Sequence, residues 1–277
     1  MPRRLRLLPP LLAVLVAAAC ADDRDARLDH AAAVARQGGL HAARLSGGPF
    51  TLAVFYRIGD PAGPVTVYIE GDGAAWASRH RLSADPTPRQ ATGLRLAAAD
   101  PGPNVLYIGR PCQYGGVASD AACHPRYWSS HRFAPEVVSA TGAVLDAALA
   151  AFGGRGVDLV GYSGGGAVAA LLAAERSDLR SLRTVAGALD HAAVSRHHGV
   201  SPLTGSRNPI AIADRLSALP QIHFAGAGDA VVPPDIARAF AAAAGPCARV
   251  VTVAEARHTD GWVDRWPALL ADPPACP

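Results

Sequence analysis

The pentapeptide Gly161-Tyr162-Ser163-Gly164-Gly165 most constrains what this chain can fold into. A strand-like run, Val157-Asp158-Leu159-Val160, leads into it, and a helix-like, small-residue run at 167–175 leads out. A serine set between glycines at a strand-to-helix turn presents its hydroxyl at the end of a sheet. The turn is too tight for a Cβ on either side, which accounts for glycine at 161 and 165. The helix begins just after Ser163, so its unpaired N–H groups and its dipole favour negative charge beside the hydroxyl. Taken alone, the pentapeptide is equally a plain turn between a core strand and a helix, so its surroundings have to decide.

Those surroundings alternate. Strand patterns occupy 52–58, 65–70, 105–109, 157–162, 182–188, 222–225 and 250–253. Helix patterns fall at 88–99, 134–152, 164–176, 234–244 and 260–270, and 134–152 carries an apolar stripe of Val137, Val138, Val144, Leu145, Leu149 and Phe152. Residues 190–216 read as irregular at first, with a helix starting near Pro209. Alternation of this kind predicts an α/β fold of three layers, a mostly parallel sheet with helices on both faces. Ligands of such sheets gather at the carboxyl ends of the strands, where Ser163 falls. No internal repeat or linker divides the chain after its first residues. One domain is expected over 49–277, with a small polar cap segment near 190–209, after a tether and short helix at 20–48.

The first residues read as a leader. Arg3, Arg4 and Arg6 precede a short apolar stretch at 7–19, too short for a spanning helix and laid out like a secretory signal. It ends Ala17-Ala18-Ala19-Cys20. A cysteine directly after small residues resembles the lipobox of bacterial lipoproteins, which implies cleavage after residue 19 and lipidation of Cys20. Ala17 departs from that pattern, which more usually has leucine. An ordinary signal peptide cut near Ala19 or Ala21 is the alternative. The resemblance places the mature protein in the periplasm or anchored to the outer membrane of a bacterium, touching membrane only through its lipid. The chain has 26 basic residues, all arginine, against 23 acids. Removing the three leader arginines balances the charge, and nothing then points to a nucleic-acid partner.

Four further cysteines, Cys112, Cys123, Cys247 and Cys276, make an even number in an exported chain and suggest two disulfides. Three pairings are open. Cys112–Cys123 and Cys247–Cys276 are favoured because each closes a local excursion. No Cys-x-x-Cys pair suggests zinc.

A serine hydroxyl is a poor nucleophile until a neutral histidine takes its proton and an acid fixes that histidine's tautomer. Asp229, in Gly226-Ala227-Gly228-Asp229-Ala230-Val231-Val232-Pro233, and His258, in Glu255-Ala256-Arg257-His258, each follow a predicted strand. Asp190, after the strand at 182–188, is the competing acid; Asp235 and Asp260 read as helix starts. These motifs, in the order serine, acid, histidine, resemble the α/β-hydrolase family of serine hydrolases over about 52–270. The resemblance implies catalytic Ser163, Asp229 and His258. It also implies an oxyanion site at Glu70-Gly71-Asp72-Gly73, where the family often has His-Gly, built from the backbone N–H groups of Gly164 with Asp72 or Gly73. A carboxylate at Asp72 would repel an oxyanion, so its side chain is expected to point away, capping N–H groups or pairing with an arginine such as Arg110.

Tyr114, Trp128 and Tyr162 are candidates to line a substrate pocket; the alternative for the first two is packing beneath a disulfide-stapled loop. His124, His131, His191, His197 and His198 match no ligand spacing and read as polar rim residues, with no metal. The expected activity is hydrolysis of ester, thioester or amide bonds in small molecules, without a cofactor. Acyl transfer by the same triad and a non-catalytic binding module that keeps the fold are the alternatives.

Overall fold

A computed structural model describes residues 11–277, with side chains from Asp23 onward. The arginines of the expected leader and the side chain of Cys20 lie outside the described residues.

The strands are β1 (His41–Gly47), β2 (Phe50–Ile58), β3 (Val65–Ile69), β4 (Trp76–Ser78), β5 (Arg81–Leu82), β6 (Asn104–Ile108), β7 (Val157–Tyr162), β8 (Leu179–Val185), β9 (Gln221–Gly226) and β10 (Ala248–Val253). Eight of them form one sheet in the order β1-β2-β6-β3-β7-β8-β9-β10, and β4 and β5 make a separate hairpin. From β6 to β10 every pairing is parallel; β1 and β2 run antiparallel at one edge. The expected mostly parallel α/β sheet is therefore present. The central strands β3, β6 and β7 are covered on both faces, which is why they read as nearly continuous apolar runs.

The helices are α1 (Leu11–Gln37), α2 (Thr92–Ala99), α3 (Gly116–Ser119), α4 (Pro135–Phe152), α5 (Gly164–Ala173), α6 (His191–His198), α7 (Pro234–Ala244) and α8 (Trp266–Leu270). Alternate residues of each strand feed one of two cores. On one face Val67, Ile69, Leu106, Ile108 and Leu159 meet α4, α5 and α7 through Val138, Val144, Leu171 and Phe240. On the other, Tyr68, Tyr107, Val160 and Phe224 meet α1, α2 and α8 through Val34, Leu94, Leu96 and Trp266. α4 is long and apolar enough by composition to cross a membrane, but its stripe is spent on the first core.

Several expectations change. The tether predicted at 20–48 contains β1, which pairs along its whole length with β2, and Ala31, Val34 and Ala35 of α1 are buried. The folded unit thus starts well before residue 49. The edge strand leaves little trace in the sequence because its mostly exposed, alternating pattern offers one weak apolar face. Residues 191–198, expected to be irregular, form α6, capped by the Asp190 carboxylate at the N–H groups of Ala192 and Ala193. The helix predicted at 260–270 is a 3-10 turn, Val263–Arg265, followed by the short α8. Cys112 pairs with Cys123 and Cys247 with Cys276.

His223 on β9 is fully buried, its Nδ1 against Thr184 Oγ1 at 2.9 Å, and desolvation lowers its pKa from 6.5 to about 3. The folded state keeps this imidazole neutral while the unfolded chain protonates it. Stability is therefore full above pH 6.5 and falls as pH drops towards 3, by about 2 kcal/mol between pH 6.5 and 5. Urea midpoints measured from pH 7 to 5 should decline in the wild type and decline less in His223→Leu. Equal slopes would show that His223 is not the group responsible.

Candidate active site

β7 ends at Tyr162 and α5 starts at Gly164, so one residue makes the whole turn. Ser163 takes φ 51° and ψ −120°, a backbone that a side-chain-bearing residue adopts only when its surroundings enforce it. Here the Ser163 N–H donates to Val185 O, and Ser163 O accepts from Gly166 N–H and Ala188 N–H, each at 2.9 Å. A Cβ at Gly161 would stand 2.6 Å from Gly166 N, and one at Gly165 would stand 2.8 Å from Glu70 C. Glycine at these positions lets α5 start hard against the ends of β7 and β3.

The serine, histidine and acid meet. Ser163 Oγ is 3.0 Å from His258 Nε2, and His258 Nδ1 is 2.9 Å from Asp229 Oδ2. The Asp229 side chain is entirely shielded from solvent, and the His258 side chain is partly exposed to the cleft. The other carboxylate oxygen of Asp229 accepts from Val231 N–H and Val232 N–H at 2.8 and 2.9 Å, so the carboxylate is aimed before the histidine arrives. An acceptor at Nδ1 places the imidazole proton there and leaves the Nε2 lone pair for the serine. Asp190 does not compete: its Oδ1 is engaged by α6 and by the Asn208 amide. Asp235 lies in the first turn of α7 and pairs with Arg238.

The histidine loop has supports that no motif announced. His258 O accepts from Tyr162 O–H and Trp262 Nε1–H, both at 3.1 Å. Trp262 lies four residues on and wholly buried. Tyr162 is thus both a wall of the cleft and a brace for the imidazole.

The Gly71–Gly73 loop lies over Ser163; a Cβ at Gly71 would be 3.2 Å from Ser163 Cβ. Both sides of the Gly71 peptide are clamped. Glu70 Oε1 accepts the Gly71 N–H at 2.8 Å, and Gln113 Nε2 donates to Gly71 O at 3.0 Å. Glu70 also accepts from Gly93 N–H and Leu94 N–H at the start of α2, and from Tyr107 O–H, itself bonded to Tyr114 O–H. Burial pushes the Glu70 carboxyl above its ordinary range, and these four donors oppose that. Asp72 is held by Arg132 at 2.7 Å and Arg110 at 3.3 Å. Contrary to expectation the side chain does not point away: its carboxylate lines the cleft and rests against the Gly164 backbone, where a Cβ would come within 2.5 Å of Asp72 Cγ, and the two arginines rather than distance compensate its charge. Gly164, first residue of α5, has no intrahelical partner for its N–H.

A cleft of about 460 Å³ opens here, bounded by Ser163, His258, Tyr162, Asp72, Gly73, Trp76 and Arg132 among others. Tyr114 and Trp128 are not in it. Tyr114 is buried under the Glu70 network, and Trp128 donates its indole N–H to Ser83 O at 3.1 Å; both pack beneath the stapled loop. Their aromatic character drew attention to them, but burial rather than ligand contact uses it. Trp76 and Arg132, which do line the cleft, carried no signal beyond position. Among the described residues no group of three or more His, Cys, Asp or Glu side chains could hold a metal.

No protein-family model and no curated protein matches the chain. Solved structures do. Est1E from Butyrivibrio proteoclasticus superposes with TM-score 0.59 at 15% identity, over 83% of this chain and 95% of that one. The Pyrococcus furiosus esterase Pf2001 matches with TM-score 0.59 at 10% identity, over 97% and 94%. A puromycin-hydrolyzing peptidase of Mycobacterium tuberculosis matches with TM-score 0.59 at 18% identity, over 83% of this chain but only 37% of its own. At these identities the likeness establishes the fold: this chain has the α/β-hydrolase fold.

The Glu70 clamp makes a direct prediction. Glu70→Gln keeps the shape but sets an amide N–H₂ against N–H donors, leaving at least one of them unpaired and buried. The expected loss is about 1–3 kcal/mol in urea unfolding. Unchanged stability would mean the carboxylate does not hold this loop.

Proposed function

We propose that the chain is an exported serine hydrolase that cleaves esters of small molecules through an acyl-enzyme on Ser163. The observation that carries this reading is the unbroken chain from Ser163 Oγ through His258 to a buried Asp229, at the floor of an open cleft. Ser163 Oγ attacks the acyl carbon while His258 Nε2 takes its proton, and ionised Asp229 stabilises the imidazolium. The developing oxyanion is met by the N–H of Gly164 and by that of Asp72 or Gly73, each such donor worth about 3–4 kcal/mol in the transition state. Clamping of Gly71 and neutralisation of Asp72 by two arginines are what make that loop hospitable to negative charge. His258 then returns the proton to the leaving alcohol, and water releases the acyl group by the same path in reverse.

The neighbours named as esterases support an ester substrate; a thioester or amide would use the same steps. The polar segment at 190–209 offers no long apolar lid, which favours small soluble esters over bulk lipid. The lipobox-like leader supports export, with Cys20 as the lipidated anchor of a periplasmic or outer-membrane protein.

A fluorophosphonate probe should label the wild type and not Ser163→Ala; equal labelling of both would remove the assignment. Asp229→Asn should retain its fold and lower kcat on a p-nitrophenyl ester by about 10³–10⁴-fold, because the imidazole loses its preferred tautomer. A loss below tenfold would take Asp229 out of the mechanism.

A further inference from the structure

A second groove of about 1020 Å³ adjoins the catalytic cleft, and the two share Trp76 and Arg132 as walls. One side of the groove is the β4–β5 hairpin, with Arg79 and His80; the other is the end of α6 and the chain just beyond it, with His198 and Val200. Its lining holds two arginines and two histidines and no acid. Arg132 already serves Asp72. Arg79, and Arg89 on the wall of the catalytic cleft, form no ion pair among the described residues. The exposed large apolar side chains of the described residues are Trp76 (46%), Val200 (56%) and Val231 (45%), and every one borders one of these two cavities.

A solvent-exposed indole beside an unpaired guanidinium recognises a flat ring that carries negative charge: the ring stacks on the indole and the anion meets the arginine. Resting on the hydrolase reading above, we propose that the groove is a subsite for one half of the substrate, a planar group bearing a carboxylate or similar anion, with Trp76 as its platform and Arg79 as its counter-ion. The ester bond then lies at the junction of the two cavities, and the substrate class is esters in which one half, acid or alcohol, is an aromatic or otherwise planar group that keeps a free anionic group.

The test compares two pairs of esters, 4-acetoxybenzoate with phenyl acetate, and monomethyl terephthalate with methyl benzoate. The first pair puts the charge on the alcohol half and the second on the acyl half. In the wild type at least one anionic ester should exceed its neutral partner in kcat/KM by about fivefold or more. Arg79→Gln should abolish that ratio and Arg79→Glu invert it, both acting through KM, with turnover of the neutral esters within twofold of wild type. Comparing ratios between proteins cancels intrinsic differences in ester reactivity. Calorimetric binding of 4-hydroxybenzoate and benzoate, against the uncharged phenol and benzamide, gives a readout independent of turnover; each anion should bind more tightly than its uncharged partner only while Arg79 is present.

Ser163-dependent hydrolysis of neutral esters, with no anionic preference and no effect of Arg79, overturns the subsite and leaves the hydrolase reading intact. Arg79-dependent binding of the anions, with no ester turned over, upholds the subsite and overturns the hydrolase reading.

Discussion

The backbone at Ser163 is the constraint on which the rest depends. A residue with a side chain is held at positive φ because three main-chain hydrogen bonds, one each to β8, to the loop just after it and to the start of α5, leave it no other path. The strand therefore delivers its hydroxyl and the helix its free N–H groups to the same point. Relaxation of this turn would rotate the hydroxyl away from His258 and move the Gly164 N–H from its place beside that hydroxyl together. Small residues on every side are the steric condition for it, since α5 has to begin in contact with the end of β3.

Around that turn stand three carboxylates, and each is kept in order by different means. Asp229 receives two backbone N–H groups and faces the imidazole. Glu70 is fully buried and satisfied by three backbone N–H groups and a tyrosine hydroxyl, so its carboxyl organises backbone. Asp72, nearest the nucleophile loop, is compensated by Arg110 and Arg132. Each carboxylate thus has a defined set of donors, as burial of a polar group requires. Arg132 also lines both cavities, so the group that quiets Asp72 stands at their junction.

Much of this was legible before any coordinates. The strands at 157–162 and 65–69 show up as apolar runs between glycine- and proline-rich turns, because burial on two faces leaves a continuous signal, and the helix at 234–244 shows up as a stripe of Ile236, Ala237, Phe240, Ala241 and Ala244. β1 and α6 did not show up: one is an edge strand with a single weakly apolar face, the other a short polar helix made by its Asp190 cap. Tyr114 and Trp128 illustrate a different limit. An aromatic residue in a rim loop can line a pocket or fill the space beneath it, and only the direction of the side chain separates the two.

What the amino-acid order determined by itself was local and periodic: the alternation that makes a parallel sheet, the glycines that permit a one-residue turn, and the succession of serine, acid and histidine beyond strand ends. Tertiary structure decided what depends on meeting across the chain. It chose Asp229 over Asp190 as the histidine's partner, and joined Gln113 and Glu70 to the two sides of the Gly71 peptide. It also set Trp76 beside residues more than fifty positions away. The reason is physical. Backbone propensity acts over a few residues, whereas a carboxylate's partner is fixed by which side chains the closed sheet brings within hydrogen-bonding distance, and no spacing along the chain encodes that distance.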